Sequence, residues 1–364
     1  MDKTDKIRKF RQMALMICIV AGAIFLLQPS LPRYLPIIFF SIALVLVIWN
    51  SIGTFFYGKA AKILQDKTNS SYEKAMPYFD KAIKWGVNEN CQIVAGTLML
   101  QHGDMEKGRV ILEHLASGTN PKTKDASKVS LSMYWWMKGD LDSAISISKK
   151  ALENGCRDKN LYVNLCTYLL EKGDYKEYRK YIKECNDNSL STPAILDLEA
   201  AYYMIQKDWK KAGTLLASLF DKTTPAYKDP YLHKAMIDLH YGEWENAVKS
   251  LSEIKNMCVE SNTSVYTLDE IDTLISLIKD ENTRWGMLEV VDKTPEILIK
   301  GHMPTVKKGL KKPDTPDKPS FSEEAFDPTS TSISKTEDDD DDDERDMDTS
   351  LNDDDEEWIK KHSN

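Results

Sequence analysis

Few residues in this chain are spaced for chemistry. His233 and His240 stand seven positions apart, two helical turns, and share a helix face, but no carboxylate accompanies them at a ligand spacing; they are expected to be a surface pair. Asp104, Asp140, Asp174 and Asp208 recur just after turns, where a carboxylate caps a helix N-terminus for about 0.5–2 kcal/mol and is not a general acid. Cys18, Cys91, Cys156, Cys166, Cys185 and Cys258 form no C-x-x-C pair and match no zinc pattern; they read as small core or surface residues of a reducing compartment. There is no G-x-x-x-x-G-K-[ST], no G-x-G-x-x-G after a strand, no H-E-x-x-H and no G-x-S-x-G. The expectation is a non-enzymatic chain with no cofactor, no metal site and no small-molecule or nucleic-acid ligand.

The recurring aspartates belong to a longer period. SSYEKAMPYFDKAI, GDMEKGRVILEHLA, GDLDSAISISKKAL, GDYKEYRKYIKEC, KDWKKAGTLLASL and GEWENAVKSLSEI each open on a turn, with a small residue a few positions on. Their turn residues, Ser70, Gly103, Gly139, Gly173, Lys207 and Gly242, are separated by 33, 36, 34, 34 and 35 positions. The small position is Ala75, Gly108, Ala144, Ala212 and Ala247, with Tyr178 the departure; the large position four residues later is Phe79, Leu112, Ile182, Leu216 and Leu251, with Ser148 the exception. First helices are marked by Gln92, Ala95, Gly96 and Met99, by Tyr162, Leu165, Cys166 and Leu169, and by Leu196, Ala200 and Tyr203. The sixth, through Leu232, Ala235, Met236 and Leu239, fits with a shift of one residue. A small residue lets paired helices approach, and neither helix buries its apolar face alone, so neighbours must stack.

This pattern resembles the tetratricopeptide-repeat (TPR) superfamily over about Phe56 to Asp280, six helix-turn-helix units followed by a capping helix at Tyr266 to Lys279. The resemblance implies an α-solenoid that binds protein partners in a groove. The basic clamp by which some such domains grip a C-terminal carboxylate is missing: the matching positions hold Val129, Met133, Val163, Thr167, Asp197 and Ala201. Trp136, after core-facing Trp135, and Met204, after core-facing Tyr203, are the candidate partner-binding groove; the competing reading buries them between repeats.

Ahead of the repeats lie two apolar runs, taken as transmembrane helices at about 13–31 and 35–57. Pro36 suits a first helical turn, and Tyr34, Trp49, Phe55, Phe56 and Tyr57 sit where interfacial aromatics belong. Ala21-Gly22-Ala23 resembles a signal cleavage site but lies inside the first run, with a second run directly after it. Lys3, Lys6, Arg8, Lys9 and Arg11 precede the first run and Lys59, Lys62 and Lys67 follow the second, against Arg33 alone between them; both termini are expected in the cytosol. There the sequons at Asn69 and Asn262 stay unmodified. The second span either continues into the first repeat or bends at Gly53 or Gly58.

Charge is unevenly spread. From Phe321 onward 18 acidic residues face Lys335, Arg345, Lys360 and Lys361, a net −14, which leaves +5 for the rest of a chain whose total is −9. A Pro- and Lys-rich stretch over 301–320, with Lys307, Lys308, Lys311 and Lys312, leads into six consecutive aspartates that repel one another and bury nothing. Trp358 and Ile359 form a candidate binding motif near the end of this tail, which either solubilises the chain or folds back on its basic parts.

The organisation expected is thus all-α: a basic segment 1–12, a two-helix hairpin 13–57, a TPR solenoid 58–285 and a disordered tail 286–364. The function expected is a membrane-tethered scaffold or adaptor for proteins at the cytoplasmic face. The alternative is an accessory subunit of a membrane enzyme or of a secretion or envelope-assembly complex, with Ala21, Gly22 and Ala23 packing on that partner.

Overall fold

The computed structural model describes residues 3–27, 32, 34–66 and 68–321; the acidic run, Trp358 and Ile359 lie outside them. Among the described residues there are sixteen α-helices and no strand.

Helices α1 (Lys3–Leu27) and α2 (Tyr34–Ile63) pack as a hairpin. Gly22 accommodates the ring of Phe40, 3.2 Å from where a Cβ would stand, and Phe25 stacks on Phe39 with centroids 5.3 Å apart. Phe10–Leu27 has a mean hydropathy of 2.1, and the most apolar 18 residues within Tyr34–Asp66 reach 2.3; both helices are long and apolar enough to cross a membrane by length and composition. They are not core helices: Met16, Ile17, Leu26, Ile37, Leu44 and Val45 stand exposed.

Helix α2 runs unbroken through Gly53 and Gly58. Its last turns are the first helix of the first repeat, paired with α3 (Asn69–Lys84). Ala60 packs with Ala75, Phe79, Ala95 and Met99. Gly53 meets the backbone at the end of α3: a Cβ there would stand 2.9 Å from the Val87 nitrogen and 3.1 Å from the Ala82 oxygen. This close approach is why residue 53 carries no side chain.

The following repeats pair α4 (Glu89–His102) with α5 (Met105–Ala116), α6 (Pro121–Met137) with α7 (Leu141–Glu153), and α8 (Lys159–Lys172) with α9 (Tyr175–Asp187). After them, α10 (Pro193–Ile205) pairs with α11 (Trp209–Lys222), and α12 (Asp229–His240) with α13 (Trp244–Met257). The small positions Ala75, Ala144, Ala212 and Ala247 and the large positions Phe79, Leu112, Leu216 and Leu251 are all buried. At the second repeat a Cβ on Gly108 would stand 2.7 Å from the Gly96 carbonyl. Tyr178, too large for its position, stacks on Tyr202 at 5.2 Å, and Ser148 turns its hydroxyl onto the Ala144 carbonyl. The first helices α4, α6, α8, α10 and α12 each pack on the next, forming the inner layer of the solenoid.

The ordered fold extends past the expected boundary at residue 285. Helix α14 (Leu268–Lys279) is the expected cap, but α15 (Arg284–Lys293) and α16 (Pro295–Ile299) follow, with Met287, Leu288, Val291 and Leu298 buried. Their apolar stripes are too short to stand out as a period, which is why the sequence reading loses them. Helix α15 packs on α12, and α16 reaches α10 and α12, so the chain covers its own inner layer there. Residues 300–321 then run along the solenoid without helix or strand.

Between α13 and α14 a loop crosses to the other end of the array. Asn262 donates its backbone N–H to Gln101 O at 2.6 Å and its side-chain amide to Leu100 O at 2.8 Å, Glu260 N–H donates to Asn69 Oδ1 at 2.8 Å, and His102 Nδ1 lies 2.7 Å from Glu260 O. Buried Lys228 holds the loop, reaching Glu260 at 2.9 Å and Tyr266 O at 2.7 Å.

Candidate protein-interaction surface

The turn aspartates do what their position dictates. Asp104 accepts from Glu106 and Lys107 N–H, Asp140 from Ser143, Asp174 from Glu177 and Asp208 from Lys211. The sixth repeat has Glu243 instead, one methylene longer, and its carboxylate makes no cap hydrogen bond. It accepts from Lys318 Nζ at 2.7 Å and Asn246 Nδ2 at 2.8 Å.

The histidines are not a surface pair. His233 is buried on α12 with Nδ1 2.7 Å from Asp197 Oδ1, itself buried on α10. Burial pushes the imidazole pKa down, but the Asp197 charge and hydrogen bond and the Asp229 charge outweigh it, so His233 sits above its ordinary value. His240 lies 2.7 Å from Asp292 Oδ1 of α15 and stacks on Trp209 at 4.5 Å. Asp197 and Asp292 lie tens of residues away in sequence, so a search for neighbouring carboxylates misses them. Among the described residues no three His, Cys, Asp or Glu side chains converge to hold a metal ion. Cys166, Cys185 and Cys258 are buried.

The two groove residues expected from sequence differ in exposure. Met204 is fully buried, with Tyr203 the more exposed of the two, because the register of α10 turns residue 204 into the core. Trp136 is half-buried, its indole N–H donating to Glu171 and its ring 5.9 Å from Tyr168, so it joins α6 to α8. A polar cleft of about 530 Å³ does open where the hairpin meets the solenoid, between Gln12, Asn50, Asn88, Asn90 and Asn120.

The more specific surface carries residues 300–321. Val306 and Lys307 lie over Gly286 of α15, and Lys307 Nζ reaches Glu289 Oε1 at 2.9 Å. Gly309 N–H donates to Asn282 O at 2.7 Å, and Lys312 Nζ lies 5.9 Å over the Trp285 ring. Thr315 packs on Gly242, where a Cβ would meet its Oγ1 at 2.8 Å. Lys318 Nζ reaches buried Asp238 at 2.6 Å as well as Glu243. The Phe321 ring covers Gly213 of α11, occupying the place of a Cβ there, and lies 6.2 Å from Tyr241. The Lys318 hydrogen bond, with that of Asn246 and the Lys318 charge, holds the Glu243 carboxyl below its ordinary value. Burial would pull Lys318 down, but its two carboxylate partners raise it.

No family model and no curated protein matches the chain. Among solved structures, a tetratricopeptide repeat protein from Parabacteroides merdae is similar at a TM-score of 0.51 and 14% identity, over 74% of this chain and 100% of that one. At that identity the likeness is one of fold. With the tandem helix pairs and their buried small and large positions, it establishes that this chain carries a TPR-type α-solenoid.

Proposed function

We propose that the chain is a membrane-tethered scaffold that holds its solenoid at the cytoplasmic bilayer surface and binds protein partners there. The observation that carries this reading is the unbroken helix α2, which is an apolar span at one end and the first repeat helix at the other. An exposed apolar hairpin is costly in water and stable in hydrocarbon, where its backbone groups are satisfied internally. Its junction to the solenoid is packed at Gly53 and Ala60, leaving no linker, so the solenoid has one orientation relative to the spans. The basic residues in the first turns of α1, ahead of the apolar run, and those at the C-terminal end of α2 favour the cytoplasmic side for both termini. Gly22 is taken up by Phe40 within the hairpin, which favours a self-contained anchor over an accessory subunit that packs this stripe on a partner.

The test is alkaline extraction of membranes combined with thiol labelling in intact cells. The chain is expected to resist extraction, and Cys91 and Cys156 to react with an impermeant maleimide only after lysis; Cys258 is buried and uninformative. Extraction into the soluble fraction, or labelling of Cys91 without lysis, would refute the reading. Capture from mild detergent then identifies partners, and a hairpin deletion must stop before Gly53 to leave the first repeat intact.

A further inference from the structure

We propose that the track followed by residues 312–321 is a peptide-docking site that the chain fills with its own segment, and that the partner it takes in exchange is an extended Pro-rich peptide with a lysine three residues before an aromatic side chain. This deepens the scaffold reading and rests on it.

The segment has the form of a ligand. Pro313, Pro316 and Pro319 recur every third residue, a pattern that favours the three-fold polyproline helix and offers little backbone hydrogen bonding of its own. The intervening set, Lys312, Thr315, Lys318 and Phe321, has the same spacing, and these are the side chains that touch the solenoid, at Trp285, Gly242, Asp238 with Glu243, and Gly213. One face of a three-fold helix is therefore read by four successive sites. A pre-extended peptide loses little conformational entropy on docking.

The solenoid has the form of a receptor. Gly213 lies inside helix α11, where glycine is a poor choice. Its own helix pairing does not require it, since Ala212 fills the small position of that repeat; the atoms closest to its missing side chain are those of Phe321. Glu243 departs from the capping aspartate of the preceding four repeats and is turned to Lys318. Asp238 also has Lys234 at 3.7 Å on its own helix and accepts a long hydrogen bond from Ser250 at 3.5 Å. Its charge keeps partners when Lys318 departs, so the segment can leave without stranding a buried carboxylate. Tethering places the segment at millimolar effective concentration, so a competing peptide meets an occupied site until the tether contact is weakened.

The experiment uses the full chain in detergent micelles and a fluorescent peptide with the sequence of residues 311–321, KKPDTPDKPSF. Wild type is expected to bind it weakly. The double variant Lys318→Ala/Phe321→Ala, with its own segment released, is expected to bind at least about tenfold more tightly. That gain should disappear for a peptide with alanine at the lysine and phenylalanine positions, and when Asp238→Asn is added to the protein. Equal binding to wild type and double variant, or none to either, overturns the proposal. Gly213→Ala, a helix-favouring change that keeps the segment's own sequence, guards against misfolding of the double variant. It should raise chymotrypsin cleavage after Phe321 several-fold without lowering the melting temperature of the solenoid. A lower melting temperature with unchanged cleavage would mean a fixed structural strap and would also overturn the proposal. If the peptide binds as expected but capture from detergent yields no protein partner, the scaffold reading fails and the docking track stands.

Discussion

Asn262 donates its backbone N–H to the carbonyl of Gln101 at 2.6 Å, joining the loop after the sixth helix pair to the corner of the second. An open solenoid contacts only its neighbours along the chain, and its ends fray independently. Here the two ends share hydrogen bonds, so the array behaves as a closed unit. Asn262→Ala removes the side-chain donor to Leu100 and is expected to cost about 1–2 kcal/mol, seen as a lower melting temperature and faster amide exchange at residues 100–103. An unchanged melt with unchanged exchange would mean that the closure carries no stability.

Lys207 occupies a turn where Gly139, Gly173 and Gly242 have φ near +80°, and it adopts φ +62° with a full side chain. A left-handed conformation costs a residue with a Cβ about 1 kcal/mol more than glycine. Lys207→Gly is expected to stabilise the solenoid by about that amount, and Gly173→Ala to destabilise it; denaturant midpoints compare the two. A destabilising Lys207→Gly would show that its side chain has a role of its own.

Glu199 gives a pH dependence with a definite sign. Burial pushes its carboxyl up to about 7, against the opposing pull of Lys211 and a hydrogen bond to Asn186. A carboxyl raised in the folded state contributes stability at low pH that is lost as pH rises through the folded value. His233 acts in the same direction above its ordinary range, whereas burial-lowered His102 acts in the opposite one as pH falls below about 6.5. Glu199→Gln isolates the carboxyl: the variant should be more stable than wild type at pH 8 by on the order of 1–2 kcal/mol, and equal to it below about pH 4, where the carboxyl is protonated in both states. Parallel wild-type and variant profiles would contradict the assignment.

Ala212 lies where α10 and α11 touch and is fully buried. Ala212→Phe overpacks that contact and should cost about 1–3 kcal/mol in a chain that includes residues 53–321. A fragment starting at residue 58 and ending at 285 cuts away the Gly53 contact, α15, α16 and the docked segment, and is not a fair host for the comparison. A melting temperature unchanged by this substitution would place residue 212 outside the contact.

The repeat fold was legible because its signal is repeated. Ala75, Ala144, Ala212 and Ala247 each carry a local packing requirement, and six tandem copies at nearly one period leave few alternatives. The hairpin was legible from composition alone. The closure through Asn262 was not, because a loop that bonds backbone carbonyls at the far end of the chain carries no pattern. Met204 is buried while Trp136 stays half-exposed, because a one-residue step of register decides which of two adjacent apolar residues faces the core, and nothing in α10 fixes it locally. The docked segment did leave traces: Glu243 in place of an aspartate, Gly213 inside a helix, and prolines spaced by three. Each has a bland reading alone, and only their convergence on Lys318 and Phe321 gives them one meaning.

In the proposed arrangement the solenoid is fixed relative to the two apolar helices through the unbroken α2. Spin labels introduced through unnatural amino acids at exposed Leu44, in the apolar part of α2, and at exposed Val110 of α5 measure it directly in lipid nanodiscs by pulsed electron resonance. A single narrow distance distribution is expected, one that broadens on Gly53→Leu, which cannot fit against the backbone of Ala82 and Val87. A broad distribution in the unsubstituted chain would contradict it.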